Sequence, residues 1–293
     1  EVRFPRLVIA LAVGAGLGCA GALLQGIFAN PLAEPSIIGV SSGGAVFASG
    51  LLAIASLAGV ERSYGFLKWG TALAAFIGAL LTTLLVYSLS RVQGKTVVVN
   101  LILVGVAINA MAGGFVTLFS FIGGTMAQSQ VVFWQLGSLA GAGWSSAVIT
   151  LIITVIGIVI ACLCAPKMDL LALGENQARH LGVNVERFRL CVIILVAALV
   201  GVGVAFAGVI AFVGLIVPHA IRLIIGPQHK WLLPTSAFGG AFVLLVADTC
   251  ARTIISTAEL PIGMLTSLIG GPIFLLLCLL YTSLSGLARQ TAM

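Results

Sequence analysis

The sequence predicts an all-α membrane protein with many spans, and two observations support that fold class. Hydrophobic residues make up 60% of the 293 residues and charged residues only 8%, whereas soluble domains are nearer half apolar and a quarter charged. Apolar runs of about 20 residues recur along the chain, each long enough to cross a hydrocarbon layer of roughly 30 Å. Backbone polar groups inside a bilayer must bond to one another, so these runs are predicted to be helices.

Hydropathy windows of about 19 residues divide the chain into nine apolar segments. The polar connections between them are too short for a soluble domain, so residues 1–293 are predicted to form a single transmembrane domain. The predicted helices, in order, are Pro5–Ile27, Ile37–Ala58, Phe66–Ser90, Val97–Ile122, Trp144–Ala165, Phe188–Val209, Ala211–Ile225, Leu233–Ile255 and Gly263–Leu284.

A polar stretch with two prolines, Asn30–Ala45, connects the first two helices and includes the start of the second. It reads NPLAEPSIIGVSSGGA. Pro31 and Pro35 are predicted to stop the first helix, and Ser36 is placed to cap the second. Within the first helix, Gly14 and Gly18 have the four-residue spacing that lets helices approach closely.

The distribution of Lys and Arg predicts which connections are cytoplasmic, because cytoplasmic loops carry the excess of positive charge. The richer set of connections is assigned to the cytoplasm and holds Arg91, Lys95, Lys167, Arg179, Arg187, Arg189, Arg222, Lys230 and Arg289. The opposite set holds Arg3, Arg6, Arg62, Lys68 and Arg252. The cations stand singly at segment ends, so the net charge of +6 indicates membrane anchors rather than a nucleic-acid surface.

One acidic residue, Asp248, lies well inside a predicted helix, where an ionised side chain is costly. A proton-coupled carrier would use such a group as a relay. Alternatively, Asp248 pairs with Arg252 one helical turn later, and we favour this interpretation because a relay needs more than one titratable group.

The connection Lys167–Leu190 differs from the others because apolar and charged residues alternate within it. It is predicted to form two short amphipathic helices outside the bilayer, interrupted at Gly174 and Gly182. From composition alone these helices either rest on lipid headgroups or dock into a partner protein. We call residues 168–184 of this connection the knob.

The sequence offers no pattern typical of an enzyme site. The tetrapeptide QGKT, Gln93–Thr96, resembles the end of a phosphate-binding loop but lacks its first glycine and its preceding strand. The three histidines and six cysteines do not have metal-ligand spacing. Energy for any active transport is therefore expected to come from an ion gradient or from another chain.

Five stretches together resemble the FecCD family of permeases, the membrane subunits of type II ATP-binding cassette importers for ferric siderophores, haem and cobalamin. They are RFPRLVIALAVGAGLGCAGALLQGIFANPLAEPSIIGVSSGGA, LLALGENQARHLGV, AGVIAFVGLIVPHAIRLIIGPQHKWLLP, ADTCAR and the segment Glu259–Leu277. They occur in the family's order and span nearly the whole chain. The resemblance implies a fold of ten helices per subunit, of which about nine are visible here, so the first family helix is expected either to be lacking or to lie outside this sequence.

The resemblance also implies the partners and the location. A homodimer of this chain in the bacterial cytoplasmic membrane would work with two ATPase subunits and an extracytoplasmic substrate-binding protein. ATP and Mg²⁺ would bind the ATPase chain, and this chain would bind no cofactor. We expect the cargo to be an iron chelate, either haem or a ferric siderophore. A cobalamin importer of the same family is the nearest alternative, and an ion-gradient-driven secondary transporter is the alternative from another class.

Site residues follow from the family's motifs, position by position. The cytoplasmic gate is expected at Asn30, Leu32 and Val98. The contacts that couple the chain to its ATPase are expected in the knob, at Leu170, Leu173, Gly174, Glu175, Ala178, Arg179, His180, Leu181 and Gly182. The residues expected to dock the binding protein are Arg3, Arg6 and Arg252, for which membrane anchoring is the alternative.

Overall fold

A computed structural model of the chain describes residues 3–59, 64–254 and 259–290. Within those ranges the chain forms eleven helices and one small hairpin. The helices are α1 Arg3–Ile27, α2 Val40–Leu57, α3 Tyr64–Leu89, α4 Val98–Ile122, α5 Gly124–Leu136, α6 Trp144–Ala172, α7 Glu175–His180, α8 Val185–Ala207, α9 Val213–Ile225, α10 His229–Thr253 and α11 Ile262–Gln290. The antiparallel strands β1, Arg91–Val92, and β2, Lys95–Thr96, form the hairpin.

Seven of the described helices are long and apolar enough to cross a membrane, namely α1, α2, α3, α4, α6, α8 and α10. Helix α9 and the apolar part of α11, Ile262–Leu276, are shorter. The predicted all-α architecture with many spans is confirmed, and each of the nine predicted segments corresponds to a helix. The predicted start of the second helix is early, because residues Pro35–Ile38 form a separate 3₁₀ turn before α2.

Helix α5 was not predicted. Its sequence, GTMAQSQVVFWQL, contains three glutamines and a serine, so it does not produce an apolar window. It buries Ala127 and Val131 against the protein rather than facing lipid all round. A helix of 13 residues is also only about 20 Å long, too short to span the hydrocarbon layer.

The predicted end of α6 at Ala165 is wrong. The helix continues through Pro166 for two further turns to Ala172. Proline removes one backbone N–H from the helix, but Met168 and Leu171 are buried in the protein core and hold this extension in place. The first part of the knob is therefore a rigid continuation of a membrane helix.

Helix α1 lies at the centre of the packing and contacts α6, α8, α9 and α10. Its approach to α10 is closest at glycines. A Cβ atom at Gly18 would lie 2.1 Å from the carbonyl oxygen of Ser236, and one at Gly14 would lie 2.3 Å from that of Gly240. The close helix packing predicted from the Gly14–Gly18 spacing is confirmed.

Candidate functional site

The segment after α1 begins with a compact helix cap. The N–H of Ala29 donates to the carbonyl of Gly26 at 3.3 Å, and the N–H of Asn30 donates to that of Gln25 at 3.2 Å. This pair of bonds defines a Schellman motif, which places Ala29 in the left-handed region at φ 47°. The Asn30 side chain then accepts the N–H of Leu32 at 2.9 Å, so it folds the next turn upon itself.

A small cavity of about 20 Å³ lies beside this cap. Asn30 and Val98 both line it, together with Phe28, Ile38 and Leu101. The structure thus brings two of the three predicted gate residues together, although they are far apart in sequence. Leu32 lies outside the cavity lining and is 40% exposed.

Glu34 connects the same segment to α9. Its carboxylate accepts the backbone N–H of Phe212 at 2.9 Å, immediately before α9 begins at Val213. A carboxylate at a helix N-terminus satisfies a free N–H and interacts favourably with the helix dipole. This contact was not predicted, although an acidic residue between two apolar helices was a visible signal in the sequence.

A second cavity of about 340 Å³ opens between the start of α2 and the helices α4 and α5. The polar side chains in its lining are uncharged. They are Ser36, Ser41, Ser42, Asn109 and Gln135. Asn109 also donates from its amide to the carbonyl of Ser36 at 3.1 Å, which fixes α4 against the 3₁₀ turn. The sequence did not indicate this cavity, because the unpredicted helix α5 supplies one wall.

The knob consists of the end of α6 and the single short helix α7, rather than the two separate helices that were predicted. The predicted breaks at Gly174 and Gly182 are confirmed, with φ angles of 119° and 85°. Both angles lie in the region that favours glycine. The path of the chain through the knob therefore depends on these two positions.

The predicted coupling residues fall into exposed and buried groups. Leu173 and Leu181 are each 61% exposed, although they lie among polar residues. Ala178 is buried and supports α7 from beneath, and Leu170 is half-buried. The other exposed members are Gly174, Glu175, Arg179, His180 and Gly182.

Arg189 joins the knob to the body of the protein. Its side chain is 3% exposed and pairs with Glu175 of α7 and, at 3.3 Å, with Glu186. Its Nε–H donates to the carbonyl oxygen of Ile27, the last residue of α1, at 3.4 Å. The charge distribution assigned Arg189 to the cytoplasmic connections, at the start of the helix predicted from Phe188, and did not indicate that it is buried.

A second ionic cluster lies at the opposite ends of α1 and α10. Arg6 is almost fully buried and binds Asp248 at 2.8 Å and Glu259 at 2.7 Å. Asp248 also pairs with Arg252 at 3.2 Å, so that predicted pairing is confirmed.

These contacts bear on the predicted docking residues. Arg6 is buried and bound by two carboxylates of its own chain, so it is not accessible to a partner. Arg252 is paired with Asp248, but its side chain is 28% exposed and remains accessible. The side chain of Arg3 and all of Arg62 lie outside the described residues. Among the residues described, no three His, Cys, Asp or Glu side chains are grouped to hold a metal ion.

The sequence matches the model of the FecCD transport family over residues 1–280. It is 41% identical to the hemin transport system permease HmuU of Yersinia pestis over 95% of this chain and 82% of that protein. It is 40% identical to the vitamin B12 import system permease BtuC of Vibrio vulnificus over 94% of this chain and 80% of that protein.

Two solved structures resemble the fold. A metal-chelate type ABC transporter in an inward-facing conformation superposes with a TM-score of 0.83 at 36% identity, covering 94% of this chain and 84% of that one. PsaBC from Streptococcus pneumoniae in complex with Fab gives a TM-score of 0.60 at 19% identity, covering 94% and 90% respectively. The second likeness concerns the fold alone.

Proposed function

The chain belongs to the FecCD transport family and is a multi-pass inner-membrane permease with the type II ABC importer fold, and from that premise we propose that it imports an iron chelate. The cargo is haem or a ferric siderophore. The observation that carries the transport role is the family match over residues 1–280. The open cavity between α2, α4 and α5 supports it, because its wall of uncharged polar and small side chains suits passage of a bulky solute.

We propose that the working unit is a homodimer bound to two ATPase subunits on the cytoplasmic side. The open cavity is bounded on one side by α4, whose side chains are mostly exposed, so a second copy packed against this helix would close it. We propose that Leu173 and Leu181, which are exposed in this polar connection, contact the ATPase at the knob. ATP and Mg²⁺ bind the ATPase partner.

In this mechanism the ATPase moves the knob and the gate follows. Asn30, Leu32 and Val98 close the cytoplasmic end of the pathway in one state and separate in the other. A substrate-binding protein delivers the chelate at the opposite face. Arg3 and Arg252 are the candidate contacts for its carboxylates, and such rim charges mainly set orientation and association rate.

The relatives support two candidate cargoes. The hemin permease favours an iron chelate, and the metal-chelate transporter structure fits either cargo. The vitamin B12 permease of Vibrio vulnificus is 40% identical, nearly as similar as the hemin permease, so cobalamin is the second candidate. All of these cargoes are bulky metal chelates, and a cavity wall without charged groups does not distinguish them.

Reconstitution distinguishes the cargoes. The complete transporter would be placed in proteoliposomes with its binding protein, and uptake of haem, a ferric siderophore and cyanocobalamin would be measured with and without ATP. We expect ATP-dependent uptake of haem or the siderophore. Uptake of cobalamin alone would replace the iron-chelate assignment, and uptake without any ATPase would refute the importer mechanism.

The docking of the ATPase is tested separately at the knob. Leu173→Asp places a charge at an exposed apolar site and should abolish co-purification of the ATPase without changing the melting temperature. Val92→Asp is the matched control, because Val92 is also exposed, at 47%, but lies on the β1–β2 hairpin. Equal loss in both variants, or in neither, would contradict docking through the knob.

A further inference from the structure

Arg189 is a buried cation at the meeting point of three segments that move in the proposed transport cycle. It contacts Glu175 in the knob, Glu186 at the start of α8 and the carbonyl of Ile27 at the end of α1. A guanidinium group has five donors in a rigid plane, so one arginine can hold all three partners together. Lysine offers only a point charge on a flexible stem.

The contact with Ile27 completes the cap of α1. The last four carbonyls of a helix do not have partners within the helix. Here backbone N–H groups of the following turn take three of them, those of Leu24, Gln25 and Gly26. Arg189 donates to the fourth, that of Ile27, where a positive charge also interacts favourably with the helix dipole. Asn30 of the predicted gate follows three residues later.

Glu186 extends the link to the other side of the predicted gate. Its carboxylate accepts the Thr96 hydroxyl at 2.7 Å and the Thr96 N–H at 3.2 Å. Thr96 ends β2, and α4 begins two residues later at Val98. The pair Arg189–Glu186 therefore touches the residues just before both Asn30 and Val98, in addition to the knob.

We propose that Arg189 is the positioning residue that transmits movement of the knob to both gate segments. This inference rests on the proposed function. A buried charge that loses a partner carries a large energetic penalty. When the ATPase displaces α7 and Glu175, Arg189 follows rather than lose one of its two carboxylate partners. The end of α1 and the β1–β2 hairpin then shift with it.

The test uses the complete transporter in proteoliposomes, with the wild type, Arg189→Gln, Glu175→Gln and the double variant. Three quantities are measured: ATPase co-purification, melting temperature and the number of ATP molecules hydrolysed per molecule imported. We expect both single variants to hydrolyse severalfold more ATP per molecule imported, and we expect Arg189→Gln, which changes a buried side chain, to retain the ATPase. The double variant should be no worse than Arg189→Gln, because the two residues act through one contact.

If Arg189→Gln does not fold, Glu175→Gln and Arg189→Lys still test the proposal, with Arg187→Gln as the control. Glu175 is 45% exposed, so Glu175→Gln tests the knob contact at the surface. Arg189→Lys retains the charge and should restore part of the coupling. Arg187→Gln removes an exposed arginine two residues away and should leave the ATP cost per molecule unchanged.

The outcomes separate this inference from the proposed function. If the wild-type chain does not bind an ATPase, the proposed function fails. If it binds, and Glu175→Gln and Arg189→Gln both import with wild-type coupling, the positioning role of Arg189 is refuted while the importer remains. Loss of ATPase binding in folded Arg189→Gln would also overturn the inference, because it would make the contact a docking feature.

Discussion

Ala29 adopts a left-handed conformation that alanine disfavours. Its φ of 47° closes the Schellman motif at the end of α1, a position where glycine is usual. Replacement by glycine removes the clash of the Cβ atom but adds backbone entropy to the unfolded chain. We expect Ala29→Gly to raise the free energy of unfolding by up to about 1 kcal/mol, measured by thermal unfolding in detergent.

A matched control for this change is available at the end of α2. Ala58 also caps a helix, but its φ of −80° is in the ordinary right-handed region. Ala58→Gly should therefore lower stability, since only the entropy of the unfolded chain changes. The same sign of effect at both positions would show that strain at Ala29 is not the cause.

Asp248 is fully buried between two arginines, so its charge matters for folding. We expect Asp248→Asn to lower the free energy of unfolding by about 3 kcal/mol, the lower end for a broken buried pair, because Glu259 still neutralises Arg6. Glu259→Gln should lose about 1 kcal/mol or less, since that side chain is 52% exposed.

The Asp248 variant also addresses the gradient-driven alternative. In that alternative Asp248 is a proton relay, and its neutralisation abolishes uptake even when the protein remains folded. In the importer mechanism, the surviving folded Asp248→Asn protein transports with ATP. Uptake per folded molecule, measured after gel filtration, distinguishes the two.

The two partners of Asp248 show what sequence could predict at this scale. Arg252 lies four residues away, so helical periodicity alone predicted the pairing. Arg6 lies 242 residues away, and no local pattern connects the two. The burial of Arg189 was not predicted for a related reason. It depends on contacts with the end of α1 and with the knob, which are distant from each other in sequence.

At the scale of elements, the α1–α10 interface depends on the absence of side chains. A methyl group at Gly18 would overlap the Ser236 carbonyl, so the helices would have to move apart. We expect Gly18→Ala to reduce the free energy of unfolding by about 1–3 kcal/mol, the usual effect of overpacking. Thermal unfolding in detergent measures it.

The control for this prediction is another helical glycine, Gly114 in α4, whose added Cβ would meet nothing within 4 Å. Gly114→Ala should be neutral or stabilise by up to about 1 kcal/mol through helix propensity. If Gly18→Ala were equally harmless, the close approach of α1 and α10 would be disproved.

Elements were predictable where one long apolar run makes one helix. All nine predicted segments are helices, because the bilayer leaves the backbone few alternatives. The rule fails for α5, which is short and partly polar, and at Pro166, where tertiary packing overrides the tendency of proline to end a helix. A hydropathy window measures how favourably a segment transfers into lipid. Helix α5 and the extension beyond Pro166 are instead stabilised by packing against the protein, which hydropathy does not measure.

At the scale of the whole molecule, the gate is expected to set how efficiently ATP hydrolysis drives import. Leu32 is 40% exposed beside the Asn30 turn, and a large apolar side chain can close a pore by excluding water. We expect Leu32→Ala to let hydrolysis continue at the wild-type rate while uptake per ATP falls severalfold. Paired ATPase and uptake assays in proteoliposomes provide the measurement.

Leu57→Ala is the control for the gate variant. Leu57 is 70% exposed at the far end of α2, so Leu57→Ala removes the same atoms from a leucine that lies away from the proposed pathway. If uptake per ATP is unchanged in Leu32→Ala, the assignment of Leu32 to the gate is wrong. An equal fall in both variants would indicate a general loss of packing.

The ion pair between α1 and α10 has a consequence for how the chain is made. The ribosome completes Arg6 long before Asp248, and at about 5–20 residues per second the interval of 242 residues lasts about 10 to 50 seconds. During that interval α1 is already in the insertion machinery with its arginine unmatched. The first described helix can therefore reach its final position only near the end of translation, and any chain truncated before α10 would hold α1 in an unfinished state.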